Sequence, residues 1–230
     1  MIASTIRKFA LLAGALVITA ASPAPAPKQN WNATVTQQAN GAFTLGNPNA
    51  KVKLTEFVSY TCPHCAHFNE QADPVLRLTQ VPQGKVSVTV QQYLRNPVDI
   101  TVAMLTNCGD PKRFFTRHNA FMATQDKWLA KMETFSDAQT KRWTAGAIPA
   151  RLRAIASDFD FYAAMTKWGY SRPQVDRCLA DEAMIKRLEA QTKAAMDLGV
   201  EGTPSFTLNG ELLAGTHDWK SLAPQIDARL

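Results

Sequence analysis

Beyond residue 21 the sequence lacks any apolar run approaching the roughly 20 residues that span a bilayer, so no later segment reads as a membrane span. It has no basic run interleaved with aromatics. Lys and Arg alternate with Asp and Glu, and the formal net charge is a modest +6. Nucleic acid is therefore not among the expected partners. There is no internal repeat, no second C-x-x-C and no H-x-x-x-H, the spacings that would complete a zinc site around one cysteine pair. Cysteine itself is scarce, with four in 230 residues: Cys62, Cys65, Cys108 and Cys178. An even count suits an oxidising compartment.

The N-terminus explains how the chain would reach one. Residues 1–21 have the layout of a signal peptide: basic Arg7 and Lys8, a short apolar core from Phe9 to Ile18, then small Thr19-Ala20-Ala21 before Ser22. An uncleaved anchor is the competing reading, and the shortness of the apolar core argues against it. No Cys follows the cleavage region, so a lipid anchor there is not expected. Residues 22–40 read as a tether rich in Pro and Ala, Ser22 to Lys28, followed by a polar, loosely held arm.

From Gly41 the pattern becomes that of an α/β protein. Residues 41–98 give an edge strand at Ala42 to Leu45 and an alternating strand at Val52 to Tyr60. A helix over 62–80 follows, with Pro74 inside it, and then a second core strand at Val86 to Leu94. This is one βαβ unit, whose crossover should be right-handed. Residues 99–198 switch to helical periodicity, with starts expected at Pro111, Pro149, Asp158, Ser171 and Asp181 and a stop at Gly199. Residues 199–230 return to strand at Ser205 to Leu208. Asn209-Gly210 then signals a hairpin, and a helix from Asp218 closes the chain. The expected architecture is an α/β fold interrupted by a large inserted helical domain.

Cys62-Pro63-His64-Cys65 stands where the alternating strand gives way to the first helix. A thiol at a helix N-terminus faces N–H groups with no intrahelical partner and the positive end of the helix dipole. Both favour the thiolate, so Cys62 is the expected nucleophile. Cys65 lies one helical turn on, on the same face, placed to close or resolve a disulfide. Pro63 fits the first helical position, where a missing N–H costs little, and His64 adds a donor beside the sulfur. A structural disulfide, or a soft-metal site sharing His67, is the bland alternative. Cys108 and Cys178 are left over in separate helical segments. They form either a structural disulfide, worth about 4 kcal/mol for such a long loop, or two inert buried thiols. His118 and His217 are taken as structural or surface residues, and Trp128, Trp143 and Trp168 as core of the helical part.

Four separated features together resemble the DsbA branch of the thioredoxin superfamily: the Cys-Pro-His-Cys motif, Glu56 six residues before it, Gly202-Thr203-Pro204 ahead of a strand, and the helical insertion. The resemblance covers residues 41–230 and implies a thioredoxin-like fold. It implies that Glu56 is a buried acid beneath the active site, moving the Cys65 proton; a surface-edge Glu is the alternative. It implies that Pro204 is cis and that Thr203 offers its backbone to substrate; a trans proline opening the strand is the alternative. It also implies a second, non-catalytic disulfide for Cys108 and Cys178.

By that resemblance the chain is a periplasmic thiol:disulfide oxidoreductase. It would donate the Cys62–Cys65 disulfide to unfolded exported proteins with free cysteines and be re-oxidised by a DsbB-like, quinone-linked membrane protein. No cofactor and no metal is expected. Thr203 departs from the Val of the best-known DsbA oxidases and is common among isomerases, so an isomerase or reductase is the alternative within the superfamily. A metal-binding or chaperone-like module is the alternative outside it.

Overall fold

The computed structural model describes residues 29–230. The signal peptide and the Ser22–Lys28 tether expected from sequence lie outside the described residues. Among the described residues no helix is long and apolar enough to cross a membrane.

Six strands form one mixed sheet: β1 Val35–Gln37, β2 Phe43–Gly46, β3 Val52–Val58, β4 Val86–Gln92, β5 Ser205–Leu208 and β6 Glu211–Leu212, in the order β1-β2-β4-β3-β5-β6. The β3–β4 pair is parallel and the other pairs are antiparallel. Helix α1, Pro63–Leu78, makes the crossover between β3 and β4. Eight α-helices lie between β4 and β5 in the sequence: α2 Pro97–Thr106, α3 Phe114–Ala123, α4 Gln125–Leu129, α5 Asp137–Arg142, α6 Ile148–Asp158, α7 Phe161–Lys167, α8 Arg172–Cys178 and α9 Glu182–Asp197. Helix α10, Trp219–Asp227, closes the chain.

Strand alternation sets what lies under the Cys-Pro-His-Cys motif. Val52, Leu54 and Val58 of β3 enter the main core, while Phe57 points the other way and packs with Ala195 and Val200. Glu56 shares parity with the first three, so the pleat drives a carboxylate into the apolar face. Helix α1 buries Cys65, Phe68, Ala72 and Leu76, an i, i+3, i+4 stripe. Val75 and Leu78 fall off the stripe, and Leu78 is 80% exposed. The same core runs unbroken from the sheet into the insertion, with Phe43 of β2 stacked on Phe114 of α3 at 4.1 Å. Trp128 and Trp143 are buried in it and Trp168 packs against it.

Two expectations are corrected. The polar arm is not loose. After a short 3-10 turn at Trp31–Ala33, Val35–Gln37 pairs with β2, and the Asn32 side-chain amide donates to the Arg77 carbonyl at 2.8 Å. Asp158 ends a helix and does not begin one. Its carboxylate accepts from Trp143 Nε1 and Arg142, both at 2.7 Å, and α7 starts after Asp160. Ser171, Asp181 and Asp218 are N-caps. Cys108 and Cys178 are joined by a disulfide across a separation of 70 residues. Gly109, beside it, has φ +76°, and a Cβ there would come within 2.3 Å of the Tyr170 hydroxyl. That hydroxyl donates to the Cys108 carbonyl at 3.0 Å, so this turn requires glycine.

Candidate active site

Cys62 is the N-cap of α1, with Pro63 in its first turn. Cys62 and Cys65 are free and buried, at 2% and 0% exposure. His64 lies on the exposed side of the first turn, so its contribution to the sulfur comes through its backbone N–H. Thr203-Pro204 is a cis peptide bond leading into β5. It brings the Thr203 carbonyl within 3.1 Å of the Cys62 sulfur.

The two thiols are driven apart in acidity. Cys62 falls from an ordinary 9.0 to about 5, first through the hydrogen bond from Cys65. The Thr203 hydroxyl and the backbone N–H groups of Cys65 and His64 add to this, and burial opposes it. The Thr203 hydroxyl is buried and makes no hydrogen bond to any other group of the fold, the direct contact of the Cys62 sulfur being to the Thr203 carbonyl. Cys65 is pushed well above its ordinary value by burial, then by the hydrogen bond to the Cys62 thiolate and by the charges of Cys62 and Glu56. Stabilising one thiolate and suppressing the other is what a nucleophile and a resolving thiol need.

Glu56 is 3% exposed, paired in register with Val90 on one side and Phe206 on the other. Burial raises its pKa from 4.5 to about 8, with the charges of Asp73 and Cys62 adding to the shift. It therefore stays protonated at neutral pH, and its Oε1 has no protein partner. A cavity of about 20 Å³ lies against it, bounded also by Asp73, His118 and Asn119. His118 is held at about 4 by burial and pairs through Nδ1 with the Tyr60 hydroxyl at 2.9 Å.

Two residues of this neighbourhood, Asp99 and Gln125, escaped the sequence reading. Asp99, 1% exposed, accepts the Thr61 N–H at 2.8 Å from the first turn of α2. Gln125, 3% exposed, donates to the carbonyls of Tyr60 and Cys62 from the start of α4. His217, taken as a structural or surface residue, is exposed and donates from Nδ1 to the Pro204 carbonyl at 2.8 Å. Asn96 caps α2 and Pro97 opens it, but nothing in Asn96-Pro97-x-Asp99 shows that the Asp turns inward. Among the described residues no group of three or more His, Cys, Asp or Glu is placed to hold a metal ion.

A βαβ unit with its cysteine pair at the helix start, answered by an antiparallel hairpin entered through a cis proline, is a thioredoxin-like fold. Here it carries a helical insertion. The chain matches the thioredoxin family model Thioredoxin_4 over residues 38–228, and it belongs to that family. A protein-disulfide isomerase from Novosphingobium aromaticivorans is 50% identical, with a TM-score of 0.80, over 84% of this chain and 98% of its own. Wolbachia pipientis α-DsbA1 shares the fold at 19% identity and a TM-score of 0.62, over 80% of this chain and 88% of its own. Proteins named protein-disulfide oxidoreductases in Rickettsia typhi and Rickettsia felis are 28% and 26% identical over 74% and 82% of this chain. The chain spans 56% and 60% of their lengths, less than two thirds.

Proposed function

We propose that this protein is a periplasmic thiol:disulfide oxidoreductase that donates the Cys62–Cys65 disulfide to exported proteins. The observation that carries this reading is the split acidity of the pair, Cys62 lowered to about 5 and Cys65 raised well above 9.0. A substrate thiolate attacks Cys62 of the disulfide, forming a mixed disulfide as the electron pair of the broken S–S bond leaves on Cys65. Glu56, protonated at neutral pH, supplies the proton that Cys65 takes up and accepts it back on re-oxidation. A second substrate thiolate then attacks the substrate sulfur of the mixed disulfide and Cys62 leaves as a thiolate. The substrate has lost two electrons and the pair has gained them. Because the leaving thiolate is stabilised, the oxidised form is the stronger oxidant.

Thr203 and the cis Pro204 present backbone groups to an extended chain, a mode of binding with little sequence preference. The substrates are unfolded exported proteins with free cysteines. Re-oxidation falls to a DsbB-like, quinone-linked membrane protein. Location outside the cytosol is supported by the signal-peptide pattern of residues 1–21.

An isomerase is the second reading. It is favoured by Thr203 beside the thiolate and by the name of the 50% identical relative. The Cys62–Cys65 reduction potential, measured together with refolding of scrambled ribonuclease, separates the two. A strongly oxidising potential with weak unscrambling supports the oxidase, whereas strong unscrambling overturns it in favour of the isomerase.

A further inference from the structure

The helical insertion has no part in the chemistry just described, yet two of its side chains grip the turn that carries the nucleophile. Gln125 of α4 donates one N–H to the Tyr60 carbonyl at 2.7 Å and the other to the Cys62 carbonyl at 2.9 Å. Asp99 of α2 accepts the Thr61 N–H at 2.8 Å, the Arg95 N–H at 2.9 Å and the Ser59 hydroxyl at 2.9 and 3.0 Å. Carbonyl 60, amide 61 and carbonyl 62 are thus held in alternation from two helices.

The Cys62 carbonyl already accepts from the N–H groups of Cys65 at 3.1 Å and Ala66 at 3.4 Å, the first bonds of α1. Gln125 is therefore not needed to satisfy it. What Gln125 adds is direction. The orientation of the Cys62 peptide fixes where the next N–H groups of α1 point, and those of His64 and Cys65 are the backbone donors that favour the Cys62 thiolate. Nor is Gln125 needed to hold the insertion in place, since the apolar core is continuous from the sheet into α3 and α6. A buried amide that gives the Tyr60 carbonyl its partner and commits its second N–H to a Cys62 carbonyl already satisfied by α1 is an aiming device.

We infer that Gln125, opposed by Asp99, is a positioning residue through which the helical insertion aims the first amides of α1 at Cys62 and so sets the oxidising strength of the Cys62–Cys65 pair. This rests on the assignment of Cys62 as the nucleophile.

Gln125→Met keeps the length of the side chain and removes both donors. Gln125→Asn keeps the amide but is one methylene too short to reach both carbonyls, and it carries the test if the Met variant does not fold. Leu152→Ala, a buried position of α6, provides a destabilised insertion with the grip intact. The readouts are the ultraviolet absorbance of the Cys62 thiolate against pH and the dithiol–disulfide equilibrium with glutathione. Both Gln125 variants should raise the thiolate midpoint and shift the equilibrium about tenfold toward the disulfide, the scale of one hydrogen bond. Leu152→Ala should lower Tm and leave both readouts in place. If the Gln125 variants behave as Leu152→Ala does, Gln125 is a structural latch and the inference falls. If the unaltered protein shows no acidic thiolate, the oxidoreductase reading falls first and takes this inference with it. That outcome is separable because it needs no variant.

Discussion

The Cys62 sulfur stands 3.1 Å from the carbonyl of Thr203, across 141 residues of sequence. The contact ties the start of α1 to the cis-proline loop and places the buried Thr203 hydroxyl among the groups that stabilise the thiolate. Thr203→Val removes that hydroxyl at nearly constant volume. The Cys62 midpoint should rise from about 5 by about one pH unit, the size of a hydrogen bond to a charged group. Titration of the thiolate absorbance checks this, and an unmoved midpoint would leave the hydroxyl without a role at the sulfur.

Cys62→Ser should abolish oxidation of a reduced test protein, and Cys65→Ser should trap a mixed disulfide through Cys62. In the reduced protein, alkylation by iodoacetamide should fall on Cys62 and rise with pH through about 5. A rate that instead follows the ordinary thiol range, near 8.5, would contradict the assignment of Cys62 as an acidified nucleophile.

Glu56 links function to stability. With a folded pKa of about 8 against an ordinary 4.5, the unfolded chain releases a proton between those values that the folded chain keeps. Folding stability should therefore fall as pH rises through that window. Glu56→Gln cannot titrate. It should be the more stable of the two above about pH 5, by a margin that widens to a few kcal/mol near pH 8. Urea unfolding of the oxidised forms at several pH values measures this. Parallel stability curves would mean that Glu56 is ionised in the fold.

Replacing Cys108 and Cys178 together by Ala should cost about 4 kcal/mol, because the bridge closes a loop of 70 residues. The Cys62 thiolate midpoint should not move. Chemical denaturation and thiolate titration of the same variant test the two halves separately.

The site was legible in the sequence where local rules govern it. Glu56 was marked by the resemblance, and its position in β3 has the parity of Val52, Leu54 and Val58, which is why it is buried under the motif. Cys62 and Cys65 are placed by helix period, whereas Thr203-Pro204 ahead of β5 was marked by the resemblance, a strand-opening trans proline fitting its position equally well. Gln125 and Asp99 were not legible, because their roles depend on how α2 and α4 meet a turn 40 to 65 residues earlier. In a helical stretch, a Gln that reaches inward cannot be told by spacing from one facing water. The strand at Val35–Gln37 was missed for a different reason: three residues are too few to show alternation. Asp158 misled because an acid before an apolar run also fits a helix end, where here it receives Trp143 and Arg142.

That short N-terminal strand has a consequence for self-association. Without it, β2 would present an open row of main-chain donors and acceptors. With it, the sheet ends in three residues on one side and in the two-residue β6 on the other. Short edge strands are poor templates for another chain. An extended main chain therefore finds no long open edge to pair with on either flank of the sheet, and the cis-proline loop beside the Cys62 sulfur is left as its place to dock.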